Sequence, residues 1–193
     1  MIDPANVSAC LVTRGDQPKQ MARIIETLPY DEVIVWDNSQ RADLKTAGRY
    51  AAILEARHDV VYFQDDDTLF THHVELCEEY QPGTITAVYA HYPEEGGYGD
   101  MPLVCGGALA DKRAVMKSYL HFLSTDPTDE DNAYADFWVG ILTPHKQVHL
   151  PFEINYDIAQ HPSRLCNQPW AADAKRRVTE RARAIRDARL VRA

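Results

Sequence analysis

The chain has 193 residues, 45% of them apolar and 25% charged, values typical of one compact folded domain and not of a disordered or collagen-like protein. Its 20 Lys and Arg residues against 29 Asp and Glu residues give a net charge of −9, which disfavours proteins coated with basic surface, such as those that package DNA. No run approaches the roughly 20 apolar residues that span a bilayer, and the N-terminus has no signal-peptide pattern, so we expect a cytoplasmic enzyme without a membrane partner.

The first half of the chain alternates short apolar runs with helical patterns. The apolar runs predict buried strands at residues 7–13, 32–36, 60–64 and 84–90. The intervening patterns predict helices at about residues 16–28, 49–56 and 71–80. We expect Asp16 to cap the first helix and Pro18 to lie in its first turn. Strands joined by helices in this way predict an α/β fold with a mostly parallel central sheet flanked by helices.

The second half is more irregular. The glycine-rich segment 92–101 predicts a mobile loop, and 124–132 predicts an acidic loop. Asp111 is expected to cap a helix that ends near Leu123, and another helix is predicted at about 133–142.

The C-terminal segment 171–193 differs in charge from the rest. It holds eight Lys and Arg residues against three acidic residues, so its charge is +5 and that of the remainder is −14. Val178, Ala182 and Ile185 fall on one helical face, which predicts an amphipathic helix that docks on the body. We therefore divide the chain into a body, 1–170, and a basic C-terminal helix, 171–193. The charge has two interpretations, compensation of the acidic body or contact with a nucleic-acid backbone.

Four cysteines are far apart and form no Cys-x-x-Cys pair, which argues against a zinc knuckle or a disulfide framework. We expect reduced, buried thiols. We also expect the adjacent His72 and His73 to lie on the surface, since neighbouring helical residues point about 100° apart.

The strongest chemical signal is the run Asp65–Asp67 at the end of the third strand. Adjacent carboxylates repel one another unless a positive group lies among them, and Mg²⁺ or Mn²⁺ with oxygen ligands is a natural partner. The alternative is that these aspartates cap the next helix and face solvent. Active sites of parallel sheets form outside the carboxyl ends of the strands, so we expect Asp65–Asp67 to share a cleft with Thr13-Arg14 and Asp37-Asn38.

The order of these pieces resembles the nucleotide-sugar glycosyltransferases of the GT-A fold, especially the family-two type. That pattern has a first strand with a small polar end, a second strand ending in Asp, a helix with Arg or Asn, and a strand entering an Asp-x-Asp metal motif. The corresponding segments here are 7–13, 33–37, 48–52 and 60–67, and the resemblance covers about residues 7–145. It implies a single GT-A-like, Rossmann-like domain that uses a UDP-sugar donor and Mn²⁺ or Mg²⁺.

The resemblance also implies roles for individual residues. Asp37 would accept a hydrogen bond from uracil, although an Asx turn explains it equally well, and Asp67 would bind the metal. Asp65 would contact the ribose or a metal-bound water. The residues assigned to the donor nucleotide-sugar are Thr13, Arg14, Asp37, Arg49, Asp65, Asp66 and Arg164. Of the histidines, His161 is the candidate for a further metal ligand, with His145 and His149 as alternatives.

The acceptor side and the catalytic base follow from the same resemblance. Gly106 and Gly107 resemble the glycine-rich acceptor loop of the family-two type. Asp136 stands in place of the Asp in a Glu-Asp pair, with Ala135 where the Glu would be, and is assigned as the general base that permits inversion. Alternative bases are Asp129, Glu130 and Asp131. The size of the chain and its motif order also resemble small phage enzymes that glycosylate hydroxymethylated pyrimidines, which implies DNA as one acceptor class.

Three other interpretations remain. A haloacid-dehalogenase-like phosphatase has Asp-x-Asp-Gly-Thr, but here Thr68 follows Asp67 directly and the motif is not near the N-terminus. A nucleotidyltransferase would need a richer phosphate loop than Thr13-Arg14-Gly15. A non-catalytic module that binds cations or nucleic acid would use only the aspartate run or the basic helix, and would not hydrolyse or transfer a donor sugar.

Overall fold

The computed structural model describes residues 1–88, 101–102 and 104–190. Its strands are β1 (Val7–Thr13), β2 (Glu32–Asp37), β3 (Val60–Phe63), β4 (Thr68–Leu69), β5 (Ile85–Val88), β6 (Ala108–Asp111), β7 (His145–Val148) and β8 (Glu153–Ile154). Its helices are α1 (Pro18–Thr27), α2 (Gly48–Ala52), α3 (His73–Glu79), α4 (Lys112–Leu123), α5 (Asp129–Asn132), α6 (Ala135–Leu142), α7 (Tyr156–Ala159) and α8 (Ala171–Leu190).

The central sheet has the strand order β2-β1-β3-β6-β5-β7. Strand β1 is parallel to β2 and β3, and β5 is parallel to β7, whereas β6 runs antiparallel to both of its neighbours. The predicted α/β fold with a mostly parallel sheet is therefore confirmed, with β6 as the exception. The sequence predicted no strand here, because the four residues Ala-Leu-Ala-Asp form no distinct apolar pattern.

Helices cover both faces of this sheet. Alternate residues of β1 point to opposite faces, so Ala9 and Leu11 pack with α3 and α1, whereas Cys10 belongs to the larger cluster with α2, α4, α6 and α8. Because both faces are covered, all seven residues of β1 are buried. The sheet is thus held rigidly between two layers, and the carboxyl ends of β1 and β3 have fixed positions.

A second, two-stranded sheet lies beside the aspartate run. Strand β4 pairs antiparallel with β8, and the amide N–H of Asn155 donates a 2.7 Å hydrogen bond to the carbonyl of Asp67. This sheet brings segment 153–168 next to the end of β3. Two-residue strands give no periodic signal, and the sequence predicted neither of them.

Helix α1 begins differently from the prediction. Its N-cap is Gln17, which makes no capping hydrogen bond through its side chain, while Asp16 pairs with Arg14 instead. The prediction that Asp16 caps this helix is therefore wrong, because the guanidinium of Arg14 binds the Asp16 carboxylate instead. Pro18 lies in the first turn, as predicted. At the next predicted cap, Asp111 accepts a 2.9 Å hydrogen bond from the amide of Ala114 and begins α4, which confirms that prediction.

His73 is buried, contrary to the predicted surface position. Its ring packs edge-on against Phe70 and Tyr62, and its Nδ1 lies 3.1 Å from the hydroxyl of Tyr30. Burial lowers its pKa to about 4, so the ring is neutral at physiological pH. The prediction failed because α3 begins at residue 73 and turns this side chain toward the sheet.

The basic C-terminal helix is observed as α8 over residues 171–190. Val178 and Ala182 are buried in the same core as the central sheet, and Ile185 packs partly against it. Arg177 pairs with Glu130 and Asp131 of α5. These contacts favour charge compensation for this part of the basic segment.

Some predictions concern other parts of the chain. Apart from Met101, the predicted mobile loop 92–101 lies outside the described residues, as do the last two residues of the predicted strand 84–90. The acidic loop 124–132 contains α5, which begins with a capping box between Thr128 and Asp131.

All four cysteines are free, but Cys166 is exposed, so the prediction that every thiol is buried is wrong. In the described part of the chain, no helix is long and apolar enough to cross a membrane.

Candidate functional site

A cavity of about 540 Å³ lies at the carboxyl ends of β1, β2 and β3. Its floor is formed by the ends of these strands, and its outer wall by α6, the start of α8 and segment 154–166. Its charged lining residues are Arg14, Lys45, Arg49, Asp65, Asp66, Asp67, Asp136, Arg164 and Lys175. The cavity therefore combines four carboxylates with five cationic side chains, which can contact the charged and polar groups of a ligand.

The aspartate run Asp65–Asp67 occupies the turn between β3 and β4. Two hydrogen bonds to the carbonyl of Cys105 hold this turn, one of 3.1 Å from the amide of Asp65 and one of 2.7 Å from the hydroxyl of Thr68. Thr13 at the end of β1 donates a 3.3 Å hydrogen bond to Asp66. The three carboxylates are thus positioned by the backbone and by the neighbouring strand.

Arg164 pairs with two of these carboxylates. Its Nη2 lies 2.8 Å from Asp66 Oδ1 and 2.9 Å from Asp67 Oδ2, and the guanidinium is mostly buried. The preceding residue is also held, because Arg14 donates to the carbonyl and the hydroxyl of Ser163. Segment 163–164 is therefore bound to the floor of the cavity through two arginines from different parts of the chain.

The surroundings of Asp67 shift the pKa of its carboxyl group. Burial, together with the nearby charge of Asp65, raises its pKa to about 6, although Arg164 acts in the opposite direction. At pH 7 the group is mainly ionised, and it remains poorly compensated. A carboxylate in this state gains free energy from an additional cation.

Arg49 joins two parts of the site. Its guanidinium is 1% exposed and pairs with Asp65, and its Nε lies 3.5 Å from Asp136 Oδ1. Burial opposes its charge, but Asp136 and Asp65 outweigh that effect and raise its pKa, so it stays protonated. Its Nη1 is buried and has no hydrogen-bond partner among the described residues.

Asp136 lies on α6 in the wall of the cavity. Its Oδ1 accepts a 2.7 Å hydrogen bond from the hydroxyl of Tyr50, next to Arg49 on α2. Burial and the nearby charge of Asp65 raise its pKa to about 6, whereas Arg49 and the hydrogen bonds of Tyr50 and Thr46 act to lower it. A carboxylate with this pKa is ionised at neutral pH and retains appreciable basicity, as a general base requires.

A divalent cation fits these residues only together with a ligand. The described residues contain no group of three or more His, Cys, Asp or Glu side chains arranged to hold a metal. Mg²⁺, however, is usually held by one or two carboxylates, with water and phosphate oxygens as its other ligands. Asp67, and Asp66 if Arg164 moves, provide that number of ligands.

His161 lies in the segment that closes the cavity. Its Nδ1 is 2.7 Å from the hydroxyl of Ser163, so this nitrogen takes part in the local turn. His161 is not among the residues that line the cavity, nor are His145 and His149. Its role as a metal ligand remains a prediction from the resemblance.

Asp37 and Thr13 are neighbours in the parallel pair β1–β2. Asp37 Oδ1 accepts hydrogen bonds of 2.8 and 2.7 Å from the amide and hydroxyl of Ser39, so an Asx turn is present, and Asp37 does not line the cavity. Thr13 and Asn38 do line it, and Asn38 bonds the backbone of Leu44 and Lys45. Recognition of uracil by Asp37 stays a prediction.

Gly106 and Gly107 lie behind the cavity rather than on its surface. A Cβ on Gly106 would come within 2.9 Å of the ring of Phe152, and Gly107 adopts φ +120° beside Phe70. Both glycines allow the chain to turn tightly into β6. Their neighbour Cys105 lines the cavity and supports the aspartate run, so this segment positions the carboxylates whatever its role toward an acceptor.

The alternative bases lie on α5. Asp131 is buried, caps its own helix and pairs with Arg177 of α8 at 2.8 Å. Its contacts are those of a structural residue, whereas Asp136 borders the cavity. None of Asp129, Glu130 and Asp131 lines the cavity.

Several residues of the site had no signal in the sequence. Tyr50 lies in a predicted helix whose pattern does not mark it as a residue of the site. Its contact with Asp136 spans 86 positions. Lys175 lines the cavity from the first turns of α8, close to the ring of Phe137. Tyr156, Gln160 and Leu165 line it from an irregular segment. Long-range contacts of this kind leave no trace in local periodicity.

Comparison of the chain with protein-family models and with curated proteins gave no match.

Proposed function

We propose that the protein is a metal-dependent glycosyltransferase of the GT-A type, which moves a sugar from a UDP-sugar to an acceptor hydroxyl with inversion at the anomeric carbon. The observation that carries this proposal is the strand-end cavity with its four carboxylates and five cationic side chains. The order of the motifs along the chain supports the same function.

The arginines support a diphosphate ligand. Arg14, Arg49 and Arg164 approach the cavity from β1, α2 and the segment after α7. A guanidinium binds phosphate oxygens with two parallel hydrogen bonds, and Arg49 Nη1 is a buried donor that lacks a partner among the described residues. A donor diphosphate placed between Arg49 and Arg164 would satisfy this nitrogen.

The aspartate run supports a cation that enters with the donor. A diphosphate adds negative charge beside Asp65–Asp67, where Asp67 is already poorly compensated. Phosphate oxygens, water and one or two carboxylates complete the coordination that Mg²⁺ or Mn²⁺ prefers. In the bound state this cation would neutralise the charge that develops on the departing diphosphate.

Different residues of the chain remove the acceptor proton and bind the leaving group. Asp136 takes the proton from the acceptor hydroxyl as that oxygen attacks the anomeric carbon, and the bond from that carbon to the diphosphate breaks. Arg49 and Arg164 hold the leaving diphosphate in place. Attack from the side opposite the leaving group inverts the anomeric carbon.

The acceptor proposal is a hydroxymethylated pyrimidine in DNA. It rests on the resemblance to small phage enzymes and on the exposed arginines of α8, such as Arg181 and Arg189. Part of the basic charge of α8 already compensates acidic groups, as in the Arg177 pairs with α5. The acceptor is therefore tested separately from the donor.

The experiment is a panel of UDP-, GDP- and ADP-sugars in which the released nucleotide is measured with Mn²⁺, with and without hydroxymethylated DNA. We expect UDP release from at least one UDP-sugar, stimulation by the correct acceptor, and loss of release in Asp136→Asn. Arg41→Gln, at an exposed ion pair with Glu55, is the matched control and should retain the rate.

Failure of every nucleotide-sugar would contradict the proposal. Release of inorganic phosphate from phosphate monoesters would favour the haloacid-dehalogenase-like alternative. Binding of metal or DNA without turnover of any donor would favour a non-catalytic module.

A further inference from the structure

Tyr50 lies next to Arg49 on α2, and its hydroxyl reaches the wall of the cavity. It donates a 2.7 Å hydrogen bond to Asp136 Oδ1. We infer that Tyr50 is a positioning residue, which holds the carboxylate of Asp136 in place for proton transfer through this hydrogen bond. The inference rests on the proposed function and adds a residue to the same site.

The ring of Tyr50 is fixed on two sides. It is completely buried, with its centroid 5.5 Å from the ring of Phe63 on β3 and 5.2 Å from that of Tyr119 on α4. A ring packed in this way has few rotamers, so its hydroxyl is a fixed point on the rigid part of the fold. Burial and the charge of Asp136 raise the pKa of Tyr50, so the phenol stays protonated and always donates.

Asp136 sits on a short helix and depends on its neighbours for orientation. Arg49 approaches the same oxygen, Oδ1, but at 3.5 Å and while it also pairs with Asp65. Tyr50 therefore makes the shorter contact with Asp136. A neutral donor orients the carboxylate without adding a second positive charge that would reduce its basicity further.

The titratable groups around Asp136 come from several elements. They are Arg49 and Tyr50 on α2, Asp65 after β3 and Cys105 before β6. The helices packed against α6 add His121 on α4, beside Trp138, and Lys175 on α8, beside Phe137. Burial raises the pKa of Asp136 to about 6, and the charge of Asp65 acts in the same direction. Arg49 and the side-chain hydrogen bonds of Tyr50 and Thr46 act in the opposite direction. Loss of the Tyr50 hydroxyl removes a donor to the ionised form, so the pKa rises further.

The test compares Tyr50→Phe with Tyr119→Phe in the full chain. Both variants keep an aromatic ring in the same cluster, but only Tyr50 bonds Asp136. A ¹³C NMR titration follows the Asp136 carboxyl without ligands, assigned through Asp136→Asn. We expect its pKa to rise by about one unit in Tyr50→Phe and to stay unchanged in Tyr119→Phe.

The rate of UDP release gives a second readout. With the pKa of Asp136 near 6 in the wild type and about one unit higher in Tyr50→Phe, the ionised fraction at pH 6 falls about fivefold. We expect kcat to fall at pH 8.5, where Asp136 is ionised in both proteins and only its lost orientation acts, to fall about fivefold further at pH 6, and the KM for the donor to stay unchanged.

An unchanged titration of Asp136 in Tyr50→Phe would overturn the inference, as would a kcat at pH 8.5 equal to that of the wild type. A shifted titration together with the pH-dependent loss would support it. If the titration shifts but no nucleotide-sugar is ever turned over, the hydrogen bond controls Asp136 and the proposed glycosyltransferase reaction is the part that fails.

Discussion

The guanidinium of Arg49 lies almost completely out of solvent, between Asp65 and Asp136. It brings together the carboxylate that follows β3 and the carboxylate on α6, which are 71 positions apart in the chain. Removing this buried guanidinium is costly, since Asp65 and Asp136 are mostly out of water and would lose the cation that they share. Arg49 is therefore both a structural residue and the proposed contact for phosphate.

Replacing Arg49 by Met tests this dual role. The side chain keeps most of its length, but Asp65 and Asp136, which are partly exposed, lose their shared cation, so we expect a loss of about 3 kcal/mol in the free energy of unfolding. Urea denaturation at pH 7.5 measures this loss. Arg41→Met removes an exposed pair and should leave the midpoint within experimental error. Equal small effects of both substitutions would mean that Arg49 does not hold the site together.

At the scale of elements, the turn from Val104 into β6 supports the aspartate run. The carbonyl of Cys105 accepts hydrogen bonds from Asp65, the first residue of that run, and from Thr68, which follows it, and Gly107 has φ +120°. No L side chain adopts this backbone conformation without strain, and here Phe70 and the hydroxyl of Tyr62 also lie 3.1 Å from the position of a Cβ. The glycine is thus required by both conformation and space.

We predict that Gly107→Ala lowers the free energy of unfolding by about 3 kcal/mol, from backbone strain together with overpacking. Gly83→Ala provides the comparison, because Gly83 has φ +75° but open space around it, and it should cost about 1 kcal/mol. Thermal or urea unfolding distinguishes the two variants. A similar loss at both positions would show that the contacts with Phe70 and Tyr62 are unimportant.

For the whole molecule, the sequence was most informative where burial imposes a simple pattern. The strands β1 and β3 are continuous apolar runs because helices cover both faces of the sheet, and their positions were predicted almost to the residue. The strands β4 and β8 have only two residues, and the four residues of β6, Ala-Leu-Ala-Asp, do not form a bulky apolar run like that of β3. The antiparallel strand in the sheet and the small second sheet were missed for this reason.

In the site, too, some features could be predicted from the sequence and others could not. Asp65–Asp67 was predictable because three adjacent carboxylates after an apolar strand are unusual, and the structure places all three on the cavity. The pairing of Arg164 with Asp66 and Asp67 spans about a hundred positions, and local patterns carry no information on such contacts. The Tyr50–Asp136 bond was hidden for the same reason. Sequence reasoning thus identified charged residues of the site but not how they are paired.

Calorimetric titration of UDP into the full chain tests the proposed nucleotide-sugar site most directly. It is done with and without Mn²⁺, in the wild type and in Asp67→Ala. We predict that UDP binds to the wild type, that Mn²⁺ tightens its binding at least tenfold, and that Asp67→Ala abolishes this effect of Mn²⁺. If the wild type binds no UDP, or if Mn²⁺ tightens binding equally in Asp67→Ala, a nucleotide-sugar site built on these carboxylates is contradicted.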